Sequence, residues 1–93
     1  MTHAVVLVAS DEHPLDGLEP AVRNAASIGA RIAIDVNGLS AFAVREVRQL
    51  IILLRAARDR GASVALRVGS EERRRSLAEM GLDRVFAIDG GNS

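Results

Sequence analysis

Arg31-Ile32-Ala33-Ile34-Asp35-Val36-Asn37-Gly38 is the stretch on which the fold turns. It is a short apolar run, too brief for a helix, and Asn-Gly closes it as a turn; it reads as a strand. Downstream, residues 44–60 form the longest helical pattern. Val44, Val47, Leu50, Ile51, Leu54 and Ala57 make one stripe, and Gly61 stops it. Arg55, Arg58 and Arg60 complement the negative end of the helix dipole. Residues 63–68 read as another strand. Ser70-Glu71-Glu72 then opens a helix with a capping serine and early acids, running to Gly81. Residues 85–88 read as a last short strand, and 89–93 as a polar tail. Upstream, a helix over 16–27 carries Leu18, Val22, Ala25 and Ala26 at helical spacing, with Glu19 and Pro20 in its first turn and Gly29 ending it. The valine-rich run at 4–9 reads as a buried strand.

Strands alternating with helices imply crossovers between largely parallel strands. The expectation is one small α/β domain over 1–93, with an ordered core at about 4–88. It holds about four parallel or mixed strands and three or four helices. At 93 residues the chain is one domain, able to bury roughly 60–70% of the surface it exposes when unfolded.

Composition narrows the function. Phe42 and Phe86 are the only aromatics, which argues against sites that stack bases or sugars. Twelve basic residues cancel twelve acidic ones, so no long-range field draws the chain to nucleic acid or anionic lipid. Every basic residue is arginine. The absence of lysine excludes P-loop and Schiff-base chemistry, and the absence of cysteine excludes disulfides, thiolate nucleophiles and cysteine zinc sites. The N-terminus lacks a signal-peptide pattern, no run approaches a membrane span, and a cytoplasmic location is expected.

Few residues are placed for chemistry. His3 and His13 lie ten positions apart with no acidic cluster, so no metal site is assigned. The glycines form no dinucleotide fingerprint. Asp11-Glu12 resembles the start of a phospho-receiver acidic pocket, but the lysine that pocket needs is absent. Arg73-Arg74-Arg75 points around a helix beside Glu71, Glu72 and Glu79, and reads as a solvated, ion-paired face. Asp35, a charge inside an apolar strand, needs a partner; backbone amides of the following turn are the expected one. No catalytic residue and no cofactor is assigned. One region remains, residues 37–46, which joins a central strand to the long helix. Ligands and partners of open parallel sheets gather at such carboxyl ends.

At this region the sequence resembles the STAS domain, the family of bacterial anti-sigma factor antagonists, sulfate-transporter cytoplasmic domains and lipid-transport accessory subunits. Ile34-Asp35-Val36-Asn37-Gly38-Leu39-Ser40 is similar to the family's strand and following turn. Leu50 to Gly61 is similar to its second helix, and Leu77-Ala78-Glu79-Met80-Gly81-Leu82-Asp83-Arg84-Val85-Phe86 to its C-terminal motif. The likeness spans about Val5 to Ile88.

Two departures qualify it. The family has another strand ahead of the one at Val5, which this sequence starts too late to supply. Where family antagonists carry Asp-Ser-Ser/Thr-Gly, this chain has Ala43-Val44-Arg45-Glu46. Arg45 thus stands at the phosphoacceptor position, with the hydroxyl lost. Losing the capping aspartate costs about 1 kcal/mol. The expectation is a helix that begins earlier, capped by Ser40, or a distorted loop before it.

The resemblance implies a non-catalytic, non-phosphorylatable interaction module in bacterial signalling. It would contact an anti-sigma factor or kinase-like partner through Asn37, Ser40, Phe42, Val44, Arg45, Glu46, Arg48 and Gln49. The alternative it implies is an accessory subunit docking on a lipid or anion transporter. Small-molecule sensing is a third reading, with few groups to serve it. Leu50-Ile51-Ile52-Leu53-Leu54 is apolar all round, so Ile52 or Leu53 must lie off the core, where a second copy or another protein would cover it. Nucleic acid and direct membrane insertion are not expected.

Overall fold

A computed structural model describes residues 4–40 and 42–89. Four strands, β1 (Ala4–Ser10), β2 (Arg31–Gly38), β3 (Ser63–Arg67) and β4 (Ala87–Asp89), alternate with three helices, α1 (Glu19–Ala25), α2 (Val44–Arg58) and α3 (Glu71–Glu79). Short 3-10 turns at Leu15–Leu18 and Leu82–Arg84 precede α1 and β4. All neighbouring strands pair in parallel, in the order β1-β2-β3-β4. The domain is therefore α/β with a wholly parallel sheet.

A monotonic parallel order has a geometric consequence. Crossovers between parallel strands are right-handed as a rule, and stepping one strand at a time in the same direction they place all three helices on one face of the sheet. Burial alternates accordingly. Ile32, Ile34 and Val36 of β2 and Val64, Leu66 and Val68 on and just after β3 are buried toward the helices. The residues between them, Ala33, Asp35, Ala65 and Arg67, are only half-buried. On β1, Val6 and Val8 are 49% and 57% exposed. The expectation of a fully buried first strand is thereby corrected: β1 is an edge strand with one face open.

The helix side closes the core. On α2 the buried stripe is Leu50, Leu53, Leu54 and Ala57, at i, i+3, i+4 and i+7. Val44, expected on that stripe, is 65% exposed, and Ile52 is the residue of the apolar run that faces water, at 51%. Leu53 is the one that packs. Leu15, Val22, Leu77, Leu82 and Phe86 complete the core, and no polar side chain is buried among the described residues.

Several boundaries move. The first helix is split, a 3-10 turn followed by α1, because Pro20 lacks an amide hydrogen and is accommodated only in the first turn of the α-helix. It ends at Ala25 rather than near Gly29. The third strand and α2 close at Arg67 and Arg58. Gly61, at φ 82°, provides the left-handed residue that turns the chain from α2 into β3. The last strand begins at Ala87, since Val85 and Phe86 complete the turn that buries Phe86; Asp89 belongs to this strand rather than to a tail. Residues 90–93 lie outside the described region, as does His3.

Candidate functional site

At the carboxyl ends of the strands, backbone groups leave the sheet ladder and need other partners. Side chains supply them. Asp35 Oδ1 accepts the Asn37 amide at 2.9 Å, as expected for a strand-end aspartate bound to its own turn. Asn37 Oδ1 accepts the Gly69 amide at 2.7 Å, tying the end of β2 to the segment after β3. Asp11 Oδ1 accepts the Ser40 amide at 3.1 Å, tying the segment after β1 to the loop that leads into α2. The loop residues 37–40 are thus fastened on both sides.

Arg73 completes the clamp. Its Nη1 donates to the Val36 carbonyl at 2.9 Å, and its guanidinium lies 5.9 Å from the centre of the Phe42 ring. The reading of residues 73–75 as an ion-paired face is corrected here. Among the described residues the only ion pair is Arg23 with Glu19, at 2.6 Å. Arg73 and Arg74 are half-buried instead. A strand-end carbonyl, which also accepts the Leu39 amide at 3.2 Å, together with an aromatic face holds a guanidinium more firmly than exposed glutamates do, since surface ion pairs are weak. Phe42 is 31 positions away from Arg73, so this pairing left no mark in local spacing.

The expectation of an early or distorted α2 start is also corrected. Ala43 sits at the N-cap in extended conformation (φ −123°, ψ −168°), and the helix opens at Val44. Alanine has no side-chain acceptor, so only half of a capping box exists: Glu46 Oε1 reaches back to the Ala43 amide at 2.7 Å. That bond, with the acid's charge in the first turn, holds the helix start in place without the aspartate. Ser40 caps nothing; its amide is taken by Asp11.

The eight sequence-predicted contact residues divide in the structure. Asn37 and Ser40 are exposed but engaged in the loop clamp, Phe42 packs half-buried under Arg73, and Glu46 is the reach-back acid. Val44, Arg45 and Arg48 project to solvent, and Gln49 is half-buried. Val44, Arg48 and Ile52, four residues apart, form one exposed line along α2, with Arg45 beside its start. Two shallow depressions flank the loop. One, of about 250 Å³, is bordered by Asp11, Leu15, Leu39, Arg45 and Gln49. The other, of about 300 Å³, is bordered by Phe42, Ser70, Glu72, Arg73 and Ser76. Arg73 and Asp11 are the site residues that sequence reasoning missed.

Asp11 is the group here whose acidity is clearly altered. The Ser40 amide and then the Ser40 hydroxyl stabilise its charged form, aided by the positive Arg73, and hold its carboxyl below the ordinary 3.8 despite partial desolvation. A carboxyl lowered in the folded state adds stability above its unfolded value and loses it as pH falls through the folded value. Denaturation of the wild type should therefore show extra loss of stability on acidification below about pH 4. Asp11→Asn should flatten that part of the profile; identical profiles would remove Asp11 from the clamp.

No protein-family model matches the chain, and no curated protein is significantly similar to it. Among the described residues no group of three His, Asp or Glu is placed to hold a metal ion, and no helix is long and apolar enough to cross a membrane.

Proposed function

We propose that the protein is a non-catalytic interaction module that docks a protein partner through the start of α2 and the loop before it. The observation that carries this reading is the solvent-facing line of Val44, Arg48 and Ile52 beside Arg45, raised on a loop clamped from both sides. A rigid, mixed apolar and cationic surface loses little entropy on binding, and arginines flanked by apolar groups are common anchors. The chain's lack of lysine and cysteine supports a binding role over a catalytic one.

The STAS resemblance, with the all-parallel α/β architecture compatible with it, supports the choice of partner class: an anti-sigma factor or kinase-like regulator in a bacterial partner-switching system. Arg45 stands where antagonists carry a phosphorylatable hydroxyl, so the complex would be governed by something other than phosphorylation there. A positive charge in the first turn of α2 opposes the helix dipole, and an acidic group on the partner would compensate it. Charge reversal by Arg45→Asp should weaken the complex at least about tenfold, as loss of a charge pair at an interface does. Unchanged affinity in a titration of the purified proteins would remove this surface from the interface. The second reading, an accessory subunit on a membrane transporter, also rests on the resemblance; co-purification with a transporter ATPase rather than a regulator would favour it.

A further inference from the structure

The open face of the sheet is a separate surface from α2. Parallel sheets are ordinarily covered on both faces, because both carry apolar side chains. Here the helices cover only one. Register places the open-face residues in three rows across the sheet. The middle row is Val6, Ala33, Ala65 and Ala87; the amino-end row is Ala4, Arg31 and Ser63; the carboxyl-end row is Val8, Asp35, Arg67 and Asp89. The middle row and amino-end row line a depression of about 400 Å³, bordered mostly by alanine, valine and isoleucine. Arg31 and Asp35 form no ion pair among the described residues.

We propose that this face binds a second copy of the same chain, sheet to sheet, about a two-fold axis that crosses the strands at the level of Ala33. Such an axis reverses strand direction and keeps lateral order, so the carboxyl-end row of one copy meets the amino-end row of the other. Asp35 then faces Arg31 of the second copy, twice by symmetry. Val8 faces Ala4, a large apolar group against a small one, and Arg67 faces Ser63, whose hydroxyl accepts from it. In the middle row Val6 meets its own copy at the edge, while over β2, β3 and β4 alanine meets alanine, and their small size lets the sheets approach closely enough there for the charges to pair. The face is complementary to itself in charge and in size, as an isologous contact requires. One Asp35 oxygen is held by the Asn37 amide; the other is left to accept from the guanidinium.

The contact is modest. Four strands about 4.8 Å apart, overlapping over about five residues, give a flat footprint of roughly 300 Å² per copy. A standard interface uses about 800 Å² per partner, so the dimer is weak and concentration-dependent. Sedimentation velocity over roughly 10 μM to 1 mM chain covers that regime. The wild type should shift from monomer toward dimer across the range. Arg31→Asp sets two acids against each other at both ends and should weaken association at least about tenfold. The double exchange Arg31→Asp with Asp35→Arg restores opposite charges across the axis and should recover most of it, which no contact with an unrelated protein would produce. Val8→Asp, on the exposed edge strand, should disrupt the dimer by an independent route. Circular dichroism checks that each variant is folded. If the double exchange fails to fold for want of the Asp35–Asn37 bond, Arg31→Asp and Val8→Asp decide. A wild type that stays monomeric to 1 mM overturns the proposal. So does a dimer indifferent to both single changes, or a folded double exchange no better than Arg31→Asp alone.

Discussion

Truncation of Leu53 to alanine is expected to lower the unfolding free energy by about 3 kcal/mol, while the same truncation at the neighbouring Ile52 should cost less than about 1 kcal/mol. Leu53 is 1% exposed within the hydrophobic core, whereas Ile52 is 51% exposed. Removing three methyl or methylene carbons from a closed core leaves a cavity as well as losing transfer energy. The same atoms at Ile52 leave only solvent. A domain of this size has a total stability of roughly 5–10 kcal/mol, so Leu53→Ala should bring the protein within reach of unfolding at moderate urea. Equilibrium urea denaturation measures both, with an unchanged slope showing that stability alone has moved. Equal losses at the two positions would mean that α2 is rotated about its axis relative to this description.

Gly38→Ala is expected to cost about 2 kcal/mol for a different reason. Pairing between β1 and β2 shifts register between Val8 and Ser10, and Ser10 is brought opposite Gly38. A Cβ at Gly38 would lie 2.9 Å from the Ala9 carbonyl oxygen and 3.1 Å from the Ser10 Cβ. The first of these is backbone, which cannot swing aside as the end of a long side chain does. The strands would have to part at the end of the sheet where Asp11, Asn37 and Ser40 anchor the loop. Gly17→Ala is the control, because a Cβ there meets nothing within 4 Å; it should change stability by no more than about 0.5 kcal/mol. Thermal unfolding of the two variants side by side settles the matter, and a neutral Gly38→Ala would show that the strand ends are not so tightly apposed.

Much of the architecture was legible because it depends on local pattern. The run at 31–38, the stripe on residues 44–60 and the serine before Glu71 each announce an element through period or capping chemistry, and all appear within a few residues of the expected bounds. Strand order is different. Nothing in the valines of β1 says that this strand lies at an edge with one face uncovered; that follows from a monotonic order and the handedness of crossovers, which pairs segments far apart in sequence. The apolar run at 50–54 poses the same problem on a smaller scale, since its composition does not distinguish Ile52 from Leu53.

At the candidate site, local reasoning located the loop and the helix start and anticipated the Asp35 turn. It erred on two points. It treated the loss of a capping aspartate as damage at the helix start, where Glu46 makes up for it from three residues on. It also read Arg73 by its acidic neighbours, when the groups that hold it, the Val36 carbonyl and the Phe42 ring, arrive from across the sheet. Local spacing carries no signal for contacts of that span.

A protein partner docked on the start of α2 leaves the open sheet face free for a different contact, so charge changes on the two surfaces should have separate effects. The most direct measurement is the dissociation constant of the purified protein–partner complex, determined in parallel for the wild type, Arg45→Asp and Arg31→Asp by calorimetric titration. Arg45→Asp should lose at least about tenfold in affinity and Arg31→Asp should lose none. Full affinity in Arg45→Asp, or a loss confined to Arg31→Asp, would rule out docking on the start of α2.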